Sequence, residues 1–215
     1  LAAVYTFINR YPILMESSHR TVVYLPLADL LGKIAAITLP LLSRIVPHYG
    51  EGIEDLNQTH FETAPTVFFT VPRYLQKFAS NITASIESST PLKKSLYRKA
   101  VKIGQRHMER VWNNRRDRFL SLLYFLAHQI VFRPILNKIG FDKLKIALST
   151  NAPISAEVMA LWHIYGVNLC QIYMQAETGG AIIASQEGPF PRPGHVGVPP
   201  HGWEVKLSKK GEILV

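Results

Sequence analysis

Short apolar runs rich in β-branched residues alternate along the chain with longer stretches whose apolar residues recur every three or four positions. A spacing of two places alternate side chains on the two faces of a strand, and a spacing near 3.6 places them on one face of a helix. On this basis the pattern predicts strands at 21–25, 66–70, 144–149, 167–173, 181–185, 203–207 and 212–215. It predicts helices over 29–42, 55–63, 73–84, 91–112, 119–139 and 155–165, the last with Ser155 as N-cap. Strands alternating with helices predict an α/β fold of mainly parallel sheets covered by helices. Segment 187–200 carries five prolines and three glycines and reads as an irregular surface connection. Beyond it, two apolar runs flank Ser208, Lys209, Lys210 and Gly211, which predicts a hairpin opening a small antiparallel β subdomain over about 194–215.

With 215 residues, 47% hydrophobic and 18% charged, the chain has the apolar content to bury a core, which excludes a disordered protein. The one cysteine, Cys170, lies in an apolar run and has no second cysteine to pair with, so it reads as a small core residue. Its sharper alternative, a reactive thiol, lacks a neighbouring group that would lower its pKa. A reducing, cytoplasmic compartment fits. Asn9, Arg10 and Pro12 interrupt the first apolar stretch, which therefore does not resemble a secretory signal. The chain begins at Leu1 and ends on the apolar run 211–215, so the expectation is an internal piece of a longer polypeptide.

Charge changes this picture in one place. The net charge is +9, and +8 of it falls between Lys93 and Arg118, where ten basic residues face only Glu109 and Asp117. Leu96, Ala100, Ile103 and Val111 give that segment an apolar side, so a basic amphipathic helix is expected within a helical insert over about 91–140. The run 119–132 after it is apolar and aromatic but shorter than the roughly 20 residues needed to cross a bilayer, which argues against a transmembrane helix. Two readings stand: peripheral contact with an anionic membrane through 93–132, or a solvated face over a core helix. No zinc, helix-turn-helix or aromatic RNA-binding signature accompanies the basic run, so a nucleic-acid partner is not expected.

In open α/β sheets, ligands bind beyond the carboxyl ends of strands. Two polar segments follow predicted strands. One is Ser149-Thr150-Asn151-Ala152-Pro153. The other is Gln171-Ile172-Tyr173-Met174-Gln175-Ala176-Glu177-Thr178-Gly179-Gly180. The second combines an aromatic ring, a carboxylate and a diglycine, which suits a nucleotide with a hard cation; on spacing alone an ordinary turn capped by Thr178 is the stronger reading. The histidines show no metal-ligand spacing, and no Gly-x-Ser-x-Gly elbow is present, so zinc chemistry and hydrolysis are not expected.

Read in order, these segments resemble the adenylate-forming (AMP-binding) superfamily of acyl-CoA synthetases, in its long-chain fatty acid–CoA ligase branch. Tyr24-Leu25-Pro26-Leu27-Ala28-Asp29 is similar to that family's Leu-Pro-Leu motif, and Pro65-Thr66 with Val71-Pro72-Arg73 to its Pro-Thr and Val-Pro-Arg pair. Ser149 to Pro153 resembles its Ser-Gly-Gly-Ala-Pro turn, and Tyr173 to Glu177 its Tyr-Gly-x-Thr-Glu segment. Gly194-His195-Val196-Gly197, Glu204-Val205 and Gly211-Glu212-Ile213-Leu214-Val215 follow in the family's order. The basic insert is similar to the helical insert of the long-chain enzymes.

The resemblance implies ATP-dependent activation of a long-chain fatty acid to an acyl-adenylate and then to acyl-CoA, with ATP, Mg²⁺ and coenzyme A as cofactor and co-substrates. It implies that Asn151, Ala152 and Pro153 border the adenine, and that Ile172, Tyr173, Met174, Gln175 and Ala176 bind nucleotide with Tyr173 packed on it. Glu177 would be the catalytic carboxylate that binds Mg²⁺. The chain departs from the family at four places: Thr150 and Asn151 stand for glycines, Met174 for a glycine, Ala176 for a phosphate-contacting threonine and Asp29 for a histidine. Met174 is expected to add bulk where the backbone takes a positive φ. The resemblance also implies a phosphate loop before residue 1, and a ribose-binding acid and a lid with its lysine after residue 215; without these the 215 residues alone are expected to be inactive. Two alternatives remain: a degenerate pseudoenzyme binding lipid or nucleotide, and a basic membrane-surface module.

Overall fold

The structure is a computed structural model that describes residues 2–50, 52, 55–115 and 117–215; Leu1 and Arg116, named above, lie outside the described residues. Helix α1 (Ala2–Arg10) and the single turn α2 (Ile13–Glu16) lead into strand β1 (His19–Val23). Helix α3 (Leu30–Lys33) passes through a π turn (Ile34–Thr38) into α4 (Leu39–Leu42), and β2 (Ile45–Tyr49) follows. Next come α5 (Leu56–Thr63), β3 (Val67–Thr70), α6 (Pro72–Glu87), α7 (Pro91–Trp112) and α8 (Arg118–Ala127), the last running through a second π turn (His128–Phe132) into α9 (Arg133–Lys138). The chain closes with β4 (Ile146–Ser149), α10 (Ala156–Tyr165), β5 (Leu169–Met174), β6 (Ile182–Ser185), β7 (Lys206–Leu207) and β8 (Ile213–Leu214). Each π turn runs directly into a segment with proline in its first turn, Pro40 and Pro134. Proline cannot donate to the carbonyl one turn back, and the helix widens there.

The central sheet has the order β3-β4-β5-β6, with β3, β4 and β5 parallel and β6 antiparallel to β5. A parallel pair β1-β2 lies beside it, joined where Thr66 donates its amide to the Arg20 carbonyl at 2.9 Å. The strands sort their side chains strictly by parity. Phe68, Ala147 and Leu169 enter one core with α6, α7 and α10, while Val67, Phe69, Ile146, Leu148, Cys170 and Ile172 enter a second with α1 and α3. Both faces of these strands are buried, which is why they read as continuous apolar runs rather than alternating ones. Burying each large apolar side chain contributes about 1.5–3 kcal/mol. Cys170 is such a core residue: burial pushes its thiol up to about 12, so it stays a protonated apolar filler.

Several predicted elements are corrected. β2 and α1 were not expected; β2 holds Pro47 and is exposed at Val46 and Tyr49, so neither alternation nor a continuous apolar run marks it. The strand predicted at 203–207 shrinks to Lys206–Leu207, which pairs antiparallel with β8. The apolar run 119–132 belongs to one helical segment, Arg118–Lys138, of 21 residues, which is long and apolar enough to cross a membrane by length and composition. The helical segment is therefore longer than the 119–132 run and reaches the length of a bilayer span. Buried Phe132 and Leu136 nevertheless place one face of this segment in the first core.

Candidate functional site

The carboxyl ends of β3 and β4 lie in register, Thr70 beside Ser149, and Ser149 sits beside Gln171 of β5, which runs on to Met174. The loop after β1 is tied to two of these ends. Tyr24 and Thr70 share a hydroxyl hydrogen bond of 2.7 Å, and Tyr24 packs edge-on against Tyr74. Burial raises the Tyr24 pKa, so it is a neutral hydroxyl partner. At the other end of the loop Asp29 caps α3, its Oδ1 accepting from the amides of Leu31 at 2.8 Å and Gly32 at 3.2 Å. The second oxygen, Oδ2, accepts from Asn151 Nδ2 at 2.8 Å. One carboxylate thus joins the first helix of the loop to the turn after β4.

That turn is built into the sheet. Ser149 and Thr150 are buried, and the Thr150 amide donates to the Thr70 carbonyl at 3.2 Å. Asn151 has φ +69°, the left-handed region that costs most side chains about 1–2 kcal/mol and Asn the least after Gly. Asn151, which stands where the resemblance places a glycine, thus takes a backbone conformation that glycine adopts freely. Ser155 then caps α10, accepting from the Val158 amide at 3.3 Å.

Asn151, Ala152 and Pro153 line a cavity of about 360 Å³ together with Gln171, Ile172, Tyr173, Met174, Val196 and Ile213. Six of the nine predicted site residues meet there. Gln175, Ala176 and Glu177 do not line it. The last two are exposed in the turn Ala176–Thr178 beyond the strand end. This turn is closed on itself: the Thr178 hydroxyl bonds the Gln175 carbonyl at 3.0 Å, and the amides of Gly179 and Gly180 return to Ala176 and Gln175. Gly179 and Gly180 are both left-handed, at φ +65° and +84°, so the diglycine is required by the chain reversal.

Met174 corrects an expectation. Its φ is not positive; a β-bulge between Tyr173 and Met174 absorbs the irregularity, and its side chain packs against the second core.

Three lining residues, Gln171, Val196 and Ile213, are not among the predicted site residues. Gln171 shares the strand face of Tyr173 by parity, a signal that was available. Val196 and Ile213 arrive from the irregular connection and from β8. The connection is organised by buried Gln186, whose Oε1 accepts from the Gln171 amide at 2.8 Å while its Nε2 donates to the carbonyls of His195 at 2.8 Å and Arg192 at 3.1 Å. Arg10 adds bonds from its guanidinium to Ser185, to the Val198 carbonyl and to Glu187. Among the described residues no cluster of three or more His, Cys, Asp or Glu forms a metal cage. A lone exposed carboxylate such as Glu177 fits a magnesium ion that takes its remaining ligands from water and substrate phosphates.

A cleft of this size at the carboxyl ends of parallel strands, apolar with a few convergent polar groups, is built to take a small organic ligand. Comparison with known proteins agrees with that reading. The chain is 25% identical over 206 residues to the long-chain-fatty-acid–CoA ligase FadD15 of Mycobacterium bovis, covering 95% of this chain and 33% of that protein. It is 28% identical over 193 residues to the peroxisomal long chain acyl-CoA synthetase 7 of Arabidopsis thaliana, covering 88% and 26%. It is 23% identical over 170 residues to the long-chain-fatty-acid–CoA ligase ACSBG2 of Mus musculus, covering 78% and 25%. The chain thus spans a quarter to a third of the length of these relatives. Its fold is that of ATP-bound MatB from Rhodopseudomonas palustris, with TM-score 0.58 and 16% identity over all of this chain and 32% of that one. A family model described as AMP-binding enzyme matches residues 1–214, and the chain belongs to that family.

Proposed function

We propose that the protein carrying this chain activates a long-chain fatty acid, first joining its carboxylate to AMP with release of pyrophosphate, then passing the acyl group to the thiol of coenzyme A with release of AMP. The observation that carries this reading is the cavity joining Asn151, Ala152 and Pro153 of one strand-end turn to Ile172, Tyr173 and Met174 of the next. In this reading the 151–153 turn borders the adenine, and Tyr173 presents its ring to the nucleotide. Ile172 and Met174 keep the wall apolar, and half-buried Gln175 with exposed Ala176 and Glu177 faces the phosphates. Glu177 would hold Mg²⁺, whose positive charge would offset the charge developing on the phosphates. The chain's own contribution is position: a carboxylate held in line with the α-phosphorus reacts faster because orientation has been fixed beforehand. The long-chain substrate class rests on the names of the relatives and on the helical insert. Fatty-acid-dependent exchange of radiolabelled pyrophosphate into ATP tests the reading; its absence with every fatty acid tried contradicts it.

A second reading is favoured by Ala176. This residue is exposed and brings no hydroxyl, while the nearby Thr178 hydroxyl is bonded within its own turn. Such a protein binds nucleotide but performs adenylation slowly or not at all. Nucleotide binding without pyrophosphate exchange selects it.

A further inference from the structure

α7 and α8 form a helical hairpin, packed side by side with the His107 ring stacked on Tyr124 at a centroid distance of 4.3 Å. Two features of its solvent side are left uncovered by the described residues. On α8 and its continuation, Phe119, Leu122, Phe125 and Ile130 are 71, 56, 56 and 61% exposed, and no Asp, Glu, Lys or Arg occurs from 119 to 132. Their spacing puts Phe119, Leu122 and Ile130, with half-exposed Leu126, on one side of the helix. The opposite side enters the first core through Ala127, Val131 and Phe132. On α7, Lys99, Lys102, Arg106 and Arg110 are exposed. Among the described basic residues of the hairpin only Lys94 and Arg98 form ion pairs, both with Glu87.

We propose that this hairpin is a docking surface for an anionic lipid bilayer, its exposed apolar side chains entering the boundary between headgroups and acyl chains while the basic residues meet lipid phosphates. Charge complementarity selects the sign of the surface. The apolar side selects lipid over a hydrated polyanion, against which five exposed hydrocarbon side chains would gain nothing. Docking is flat rather than spanning, because pulling Arg118–Lys138 into a bilayer would strip buried Phe132 and Leu136 out of the core. The proposal stands apart from the nucleotide reading, since none of these residues lines the strand-end cavity.

The test is co-sedimentation of the full chain with phosphatidylcholine vesicles, with and without phosphatidylserine, at low and high salt. Two variants accompany it, with circular dichroism to check folding: Lys99→Gln/Lys102→Gln/Arg106→Gln, and Leu122→Gln/Phe125→Gln. The expected result is binding to phosphatidylserine vesicles that salt weakens. Each charge removed lowers partitioning about fivefold, so the triple variant loses on the order of a hundredfold. The apolar variant should also bind less. Four results overturn the proposal: no binding at low salt, equal binding to phosphatidylcholine alone, unchanged binding by both variants, or retention on heparin without vesicle binding.

Discussion

The turns after β4 and β5 sit side by side on one sheet and are built in opposite ways. The 149–153 turn is anchored to the rest of the molecule, with Ser149 and Thr150 buried at its base and exposed Asn151 tied by 2.8 Å to Asp29 on another element. The 175–180 loop folds on itself through Thr178, Gly179 and Gly180 and leaves Ala176 and Glu177 in solvent. A base is an apolar, rigid object that rewards a fixed wall. A triphosphate with its metal is charged and hydrated, and rewards groups that keep their water until it arrives. The contrast between the turns matches that division of labour.

The largest expected effect concerns the scaffold beneath both turns. His60 and His163 are fully buried, and burial lowers their pKa values from the ordinary 6.5 to about 3 and about 4. Neither nitrogen of His60 has a hydrogen-bond partner among the described residues. The unfolded chain therefore takes up these protons first, and the folded state is destabilised as pH falls. Stability should be full above about pH 6.5 and decline below it by about 1.4 kcal/mol per pH unit for each ring. Urea unfolding between pH 7 and 5 checks this, and His60→Leu should reduce the slope by about 1.4 kcal/mol per pH unit, while His19, His107, His128 and His163, whose pKa values burial also lowers, keep the remainder. Both turns should be lost in one transition; separate transitions would break the idea of a shared scaffold.

Next in size is Tyr173→Ala, which removes the ring at the junction of the two turns. Nucleotide affinity should fall ten- to a hundredfold, the loss of about 1–3 kcal/mol of stacking, with little change in unfolding midpoint. Ala176→Thr should act on chemistry instead. Restoring a hydroxyl toward phosphate is worth about 1.5–3 kcal/mol, and pyrophosphate exchange should rise at least about tenfold. Unchanged exchange would mean that the exposed loop does not serve the phosphates.

The smaller effects separate the turns from within. Gly180→Ala should cost about 2 kcal/mol, because a Cβ would lie 2.9 Å from Ile34 Cδ1 at a positive φ; Gly179→Ala, with nothing within 4 Å, should cost only the backbone strain of about 1 kcal/mol. Asn151→Ala should cost about 1 kcal/mol and Asn151→Gly close to nothing, since Gly recovers in backbone freedom what the Asp29 bond provided. Denaturant midpoints of the four variants decide between these values.

How much of this was legible in the sequence follows from the range of the forces involved. Helix α7 has the predicted bounds, and Ser155 caps its helix, because capping and apolar period are local. The doubly buried strands were visible as short β-branched runs. β2 was invisible because a proline and a half-exposed edge erase both signals. At the site, the rule of strand ends together with the resemblance located 151–153 and 172–174. The Asp29–Asn151 bond spans 122 residues of sequence, and the Gln186 links to His195 and Arg192 depend on how an aperiodic connection folds. Neither has a local signature. Met174 was misjudged because a family glycine was taken to require a positive φ, whereas here a bulge accommodates the side chain.

The central claim is that the nucleotide occupies the cavity between the two turns. Photolabelling of the protein that carries this chain with 8-azido-ATP, followed by peptide mapping, tests it most directly. The account predicts label on 149–153 or 171–177, reduced by competing ATP. Competable label on the separate polar cleft lined by Arg20, His48 and Lys143 instead would contradict it.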